Sequence, residues 1–155
     1  MQNPHIVSGG DPFVEFPLLS LSLIQKFYLV HRVPEDGRST LGPIIFDQAP
    51  FPALEIFAID CETSISHLLS ALFSNPASPP SLKTLAFFNC DLDEGFMEKL
   101  MRCASDRKGT TSAPLRRVVI VDPDGMFPSV ASIRKLEEHV PVVDVRLGTE
   151  LPDDL

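Results

Sequence analysis

Apolar residues at Leu82, Leu85 and Phe87, followed by Cys90 and Leu92, set a spacing that recurs through the chain. Leu54, Phe57 and Ile59 carry it upstream, and Leu115, Val118 and Ile120 carry it downstream. Fainter copies stand at Ile24, Phe27, Leu29 and at Val142, Val145, Leu147. The first positions are 30, 28, 33 and 27 residues apart. Offsets of three and then two suit a residue tucked in ahead of a strand, followed by two that point to one side of it, because side chains alternate across a strand. A unit of about 30 residues built on one such strand cannot bury its own apolar side, whereas stacked copies can. The expected fold is therefore α/β: a short, irregular repeat solenoid with a parallel sheet on one face, helices on the other and right-handed connections.

Taken in order, residues 1–20 mix Gly9-Gly10, Asp11-Pro12 and Pro17 without a sustained period and read as an irregular N-terminal segment or cap. Residues 21–148 hold about five strand units. The first strand lies within 21–30 and ends at the turn-forming Pro34-Glu35-Asp36-Gly37. The second, 54–60, precedes a helical pattern at Ile65, Leu68, Leu69, Leu72 and Phe73, which Asn75-Pro76 ends. After the third strand, a helix capped near Asp93 carries Phe96, Met97, Leu100, Met101 and Ala104 on its inner stripe. The fourth strand, 115–121, leads through Asp122-Pro123-Asp124-Gly125 to a helix capped by Ser129, with Val130, Ile133 and Leu136 inward. A last strand spans 142–147, and residues 149–155 form an acidic, proline-broken tail that reads as a natural end.

A net charge of -8 argues against a general nucleic-acid or anionic-membrane binder, because both need a surplus of Lys and Arg. Arg102, Arg107, Lys108, Arg116 and Arg117 form a local basic cluster, read as a solvated loop and strand edge. No apolar run is long enough for a membrane span and the start lacks a signal-peptide pattern, so the expected localisation is cytoplasmic or nuclear. Cys61, Cys90 and Cys103 have no C-x-x-C spacing and read as buried thiols. His5, His31, His67 and His139 fall in different units without metal-ligand spacing, and the acidic runs 91–95 and 122–125 lack the ligand order of a calcium loop. Neither a nucleophile elbow nor a phosphate-binding loop is present. No catalytic residue, cofactor or metal is assigned.

If Leu85 and Phe87 point inward, the residues between them point out from the sheet. Tyr28, Ile56, Phe88, Val119 and Val121 then make an exposed apolar strip on the outer face, with Arg117 and Arg146 at its charged rim. Contiguous apolar surface rimmed by charge marks a protein-binding site, and these seven residues are the candidate contacts for a protein partner of unknown identity.

The repeat units, with Phe51-Pro52-Ala53-Leu54, the run 80–85 and the ending Val140-Pro141-Val142-Val143-Asp144-Val145-Arg146, resemble the leucine-rich-repeat C-terminal regions of fungal F-box-like and NACHT-type proteins. The resemblance covers about residues 20–150 and implies a recognition module. Residues 1–20 contain neither an F-box helix bundle nor a nucleotide-binding loop, so ubiquitin-ligase and ATPase roles are not carried over. Cys90 fills the repeat's asparagine place once; Glu62 and Pro123 stand there in the flanking units. The expected function is non-catalytic protein recognition through the outer face. One alternative is a small α/β hydrolase or transferase on a doubly wound sheet, which would need a nucleophile and base at strand C-terminal ends. Another is a structural fragment of a larger repeat protein.

Overall fold

The computed structural model describes residues 5–8, 23–31, 51–61, 79–109, 112–122, 124–125, 128–150 and 152–155. They hold strands β1 (His5–Ser8), β2 (Lys26–His31), β3 (Ile56–Cys61), β4 (Thr84–Phe88), β5 (Arg117–Asp122) and β6 (Val142–Leu147). Helix α1 (Glu94–Lys108) lies between β4 and β5, and α2 (Val130–Glu137) between β5 and β6. All neighbouring strands pair in parallel, and their order across the sheet is their order in the chain. A doubly wound sheet reverses direction at a switch point; this one has no reversal, which corrects the doubly wound alternative. Within the segment 1–20, His5–Ser8 add a strand against β2. The helical pattern expected over 65–73 lies outside the described residues.

The backbone repeats itself where each strand begins. Gln25 O accepts from Glu55 N and Ile56 N, Glu55 O accepts from Lys83 N and Thr84 N, and Lys83 O accepts from Arg116 N and Arg117 N. At the next step Arg116 O accepts from Val142 N alone, because Pro141 has no N–H to give. This ladder makes Pro141 the counterpart of Arg116 and Val140 the counterpart of Leu115. The strand register agrees, pairing Val118 with Val143 and Ile120 with Val145.

The final copy of the repeat is therefore Val140, Val143, Val145 rather than Val142, Val145, Leu147. The last interval is 25 residues instead of 27. Burial follows the corrected assignment: Val140 is 1% exposed, while Val142 and Leu147 are 49% and 70% exposed.

Inward positions form rows across the sheet. Phe27, Phe57, Leu85, Val118 and Val143 make one row, and Leu29, Ile59, Phe87, Ile120 and Val145 the next. In-register parallel strands hold equivalent side chains about 4.8 Å apart, so the Phe27 and Phe57 rings stack, with centroids 5.7 Å apart and planes 11° from parallel.

Helix α1 covers these rows with buried Phe96, Met97, Leu100 and Ala104. Phe96 meets Phe87 edge to face at 5.1 Å, a favoured aromatic geometry. The helix starts where Asp93 Oδ1 accepts from Phe96 N at 2.7 Å, and Arg107 and Lys108 stand in its last turn, where cations suit the helix dipole. Ser129 caps α2 by accepting from Ser132 N at 3.2 Å. Leu136 is buried on the same side of the sheet as α1. Val130, expected inward, is 67% exposed. An eight-residue helix makes little more than two turns, and this one is held at its far end, by Leu136 and the Val140 that follows.

Arg107 does not belong to a solvated basic cluster. It is buried, its Nε donating to Ala113 O at 2.9 Å and its Nη2 to Pro79 O and Leu82 O at 3.1 and 3.0 Å. It ties the end of α1 to the segments entering β4 and β5, and burial lowers its pKa from the ordinary arginine value. Cys90 sits where β4 leaves the sheet; its thiol donates to Phe88 O at 3.1 Å and reaches Ile59 O of the preceding strand at 3.7 Å. Burial pushes the Cys103 thiol up to about 11, so it stays protonated at neutral pH and is a poor nucleophile. Among the described residues, no helix is long and apolar enough to cross a membrane.

Candidate functional site

The register brings the predicted outer-face residues together. Lys26, Ile56, Thr84, Arg117 and Val142 form one row. Tyr28, Ala58, Ala86, Val119 and Asp144 form the second, and Val30, Asp60, Phe88, Val121 and Arg146 the third. All seven candidate contacts therefore lie on one side of the sheet.

Their exposure is corrected. Phe88 and Val121 are 4% and 3% exposed and Val119 is fully buried. Tyr28, Ile56 and Arg117 are half-buried, and among the seven only Arg146 is exposed. The strip is a second apolar cluster of Ala58, Ala86, Phe88, Val119 and Val121, with Tyr28 and Leu155 packed against it.

The cluster has a definite relief. Ala58 and Ala86 occupy the middle of the central row, where a methyl group is all that rises above the backbone. Tyr28 and Phe88 stand beside them with ring centroids 6.1 Å apart and planes near perpendicular. Ala58 and Ala86 are 5% and 0% exposed, so the low centre of the face is already covered. Leu155 packs against this cluster, at the end of a turn in which Leu155 N donates to Pro152 O at 3.2 Å.

Charge frames the cluster on two sides. Arg117 Nη1 pairs with Asp154 Oδ2 at 2.9 Å and its Nη2 with Asp144 Oδ2 at 3.2 Å. Arg146 closes on Asp144 from beside it, its Nε donating to Oδ1 at 2.9 Å and its Nη2 to Oδ2 at 2.5 Å. The Arg146 hydrogen bond, helped by Arg117, holds Asp144 below the usual carboxylate range. The Arg117 hydrogen bond does the same for Asp154. On the opposite side, Lys26 Nζ donates to Leu155 O at 3.0 Å. Lys26, Asp144, Asp154 and Leu155 take part in these contacts and are not among the seven candidate residues. The one available signal was the pair of alanines at matching positions, which marks a place where the sheet surface is low.

Two other places deserve comparison. A cleft of about 730 Å³ opens beside the start of β5 and β6, lined by Lys108, Leu115, Arg116, Glu138, His139 and Val142 among others. It lies where strands begin, opposite the strand C-terminal ends at which open parallel sheets usually bind ligands. At those C-terminal ends stand Asp60, Asp91 and Asp122, the last engaged in a local turn by accepting from Asp124 N. Among the described residues, no group of three or more His, Cys, Asp or Glu is placed to hold a metal ion.

No protein-family model, curated protein or solved structure matches the chain.

Proposed function

We propose that this chain is a short, irregular leucine-rich-repeat solenoid that recognises a protein partner through the outer face of its sheet, without catalysis. Two features support the solenoid reading. The strand order rises without reversal, and the same carbonyl pairing recurs at the entry to successive strands. Cys90 occupies the repeat's asparagine place and reaches the carbonyl of the neighbouring strand, as a repeat-to-repeat tie would. The observation that carries the recognition reading is the outer face itself. The apolar cluster of Ala58, Ala86, Phe88, Val119 and Val121, with Arg117, Arg146 and Lys26 beside it, already holds a turn of polypeptide.

The test uses photo-crosslinking amino acids in the native cell type, one at Arg146 on the outer face and one at Arg102 on the exposed side of α1. The expected result is a set of proteins captured from position 146, lost in a folded Tyr28→Glu variant and not captured from position 102. Capture from 102 alone, or capture from 146 that ignores Tyr28→Glu, would overturn the reading.

A second reading rests on a different observation. Among the described residues β6 is an edge strand, and Val142 and Leu147 on it and Val130 at the start of α2 are exposed. Such an edge suits the addition of a further unit, which fits a fragment of a longer repeat protein.

A further inference from the structure

We infer that the turn at residues 152–155 is a built-in occupant of the outer face, and that the partner that displaces it presents an acidic turn with an aliphatic residue after an aspartate. The inference rests on the recognition reading above and adds the chemistry of the ligand.

The turn is gripped in three chemically distinct ways. Asp154 is held by Arg117 at 2.9 Å, the Leu155 carbonyl accepts from Lys26 at 3.0 Å, and the Leu155 side chain packs on the apolar cluster. Lys26 lies 129 positions before Leu155 in the chain, so neighbourhood in sequence does not impose the contact. Lys26 and Arg117 share one register row, separated by Ile56 and Thr84. Three strand steps put their backbones about 14 Å apart, a span that two long side chains leaning inward reduce to the width of a dipeptide.

The two cations thus measure a ligand: one grips an aspartate side chain, the other a main-chain oxygen one residue further on, with an aliphatic group between them. In a chain of net charge -8, Lys26, Arg117 and Arg146 stand on this face against the carboxylates of Asp144 and Asp60, a small positive excess that suits an acidic peptide. Any such peptide competes with a segment of the same chemistry that is already tethered and present at high effective concentration.

Tyr28 is the only tyrosine, the chain has no tryptophan, and Tyr28 belongs to the cluster that Leu155 touches. Its fluorescence therefore reports occupancy of this face directly. The experiment compares acrylamide quenching of the full-length wild type and of Asp154→Ala/Leu155→Gly. It then titrates both with a fluorescently labelled hexapeptide of sequence Glu-Leu-Pro-Asp-Asp-Leu, with a Leu→Lys version of that peptide as control.

The expected result is stronger quenching in the double variant, reversed by the peptide. Peptide binding should be about tenfold tighter to the variant than to the wild type, lost when Arg117→Glu is added, and absent with the Leu→Lys peptide. Equal quenching and equal peptide affinity in the two proteins would overturn the inference, as would no peptide binding to either. If position 146 still captures partners in the crosslinking experiment while these results fail, the recognition reading stands and only the occupant is wrong. If crosslinking fails while the peptide results hold, the turn is a docked segment of a face that meets no partner.

Discussion

The two faces of the sheet are built from the same strands and obey different rules. The inner face is filled by large residues in unbroken rows, Phe27, Phe57, Leu85 and Val118 in one and Leu29, Ile59, Phe87 and Ile120 in the other, in one cluster with buried residues of α1 and α2. The outer face alternates Tyr28, Ala58, Ala86 and Val119 in its central row and is edged by Arg117, Asp144 and Arg146. On the inner face each residue must fit its counterparts in the neighbouring strands, so the repeat dictates it. On the outer face a residue answers to whatever lies on the sheet, and the repeat leaves its size and charge free. That freedom is where a stacked fold carries individuality.

The comparison can be broken most severely at Leu85, which has no exposed surface. Leu85→Asp is expected to remove the cooperative unfolding transition, because an unpaired carboxylate in a packed core costs several kcal/mol or more; a wild-type melting curve would show that the inner rows are misplaced. A sharper cut uses adjacent residues of β4 on opposite faces. Phe87→Ala should cost about 3–5 kcal/mol, the usual range for a buried phenylalanine. Phe88→Ala should cost less, about 2 kcal/mol, because it empties the smaller of the two apolar clusters. Equal losses in denaturant unfolding would mean that the two faces are equally core.

The smallest effect is electrostatic. The folded pKa of Asp154 is depressed below its ordinary value of 3.8 by Arg117. The contact is therefore fully present above that ordinary value and is lost only as pH falls through the lower folded value. Tyr28 quenching should stay flat from about pH 8 to about pH 5 and rise below about pH 4. A rise near neutral pH would assign the response to another group.

Much of the inner face was legible because it is periodic. The offsets of three and two placed Phe27, Phe57, Leu85 and Val118 in one row before any coordinates. Asp93 and the stripe from Phe96 to Ala104 likewise marked α1. The slip at β6 arose because Val140, Val142, Val143 and Val145 all offer an apolar side chain; the missing N–H of Pro141 decides between the alternatives, and only the backbone ladder reveals it. Residues His5–Ser8 are too few to show a period. Arg107 looked like one more charge in a basic run, and its burial depends on carbonyls of residues 79–82, far back in the chain. The closure of the outer face was hidden for the same reason. Periodicity reports on residues about 30 positions apart, whereas Lys26 and Leu155 meet across 129.

The rising strand order has a mechanical side. Each strand hydrogen-bonds only to its neighbours, so a pull across the sheet should separate the strands one at a time. The turn at 152–155 changes the load path. By gripping Lys26 on β2 and Arg117 on β5, it straps together four strands whose backbones pair only in sequence. While the strap is closed the interior of the sheet should bear tension as one block, and once it is released the same sheet becomes a chain of separately yielding links.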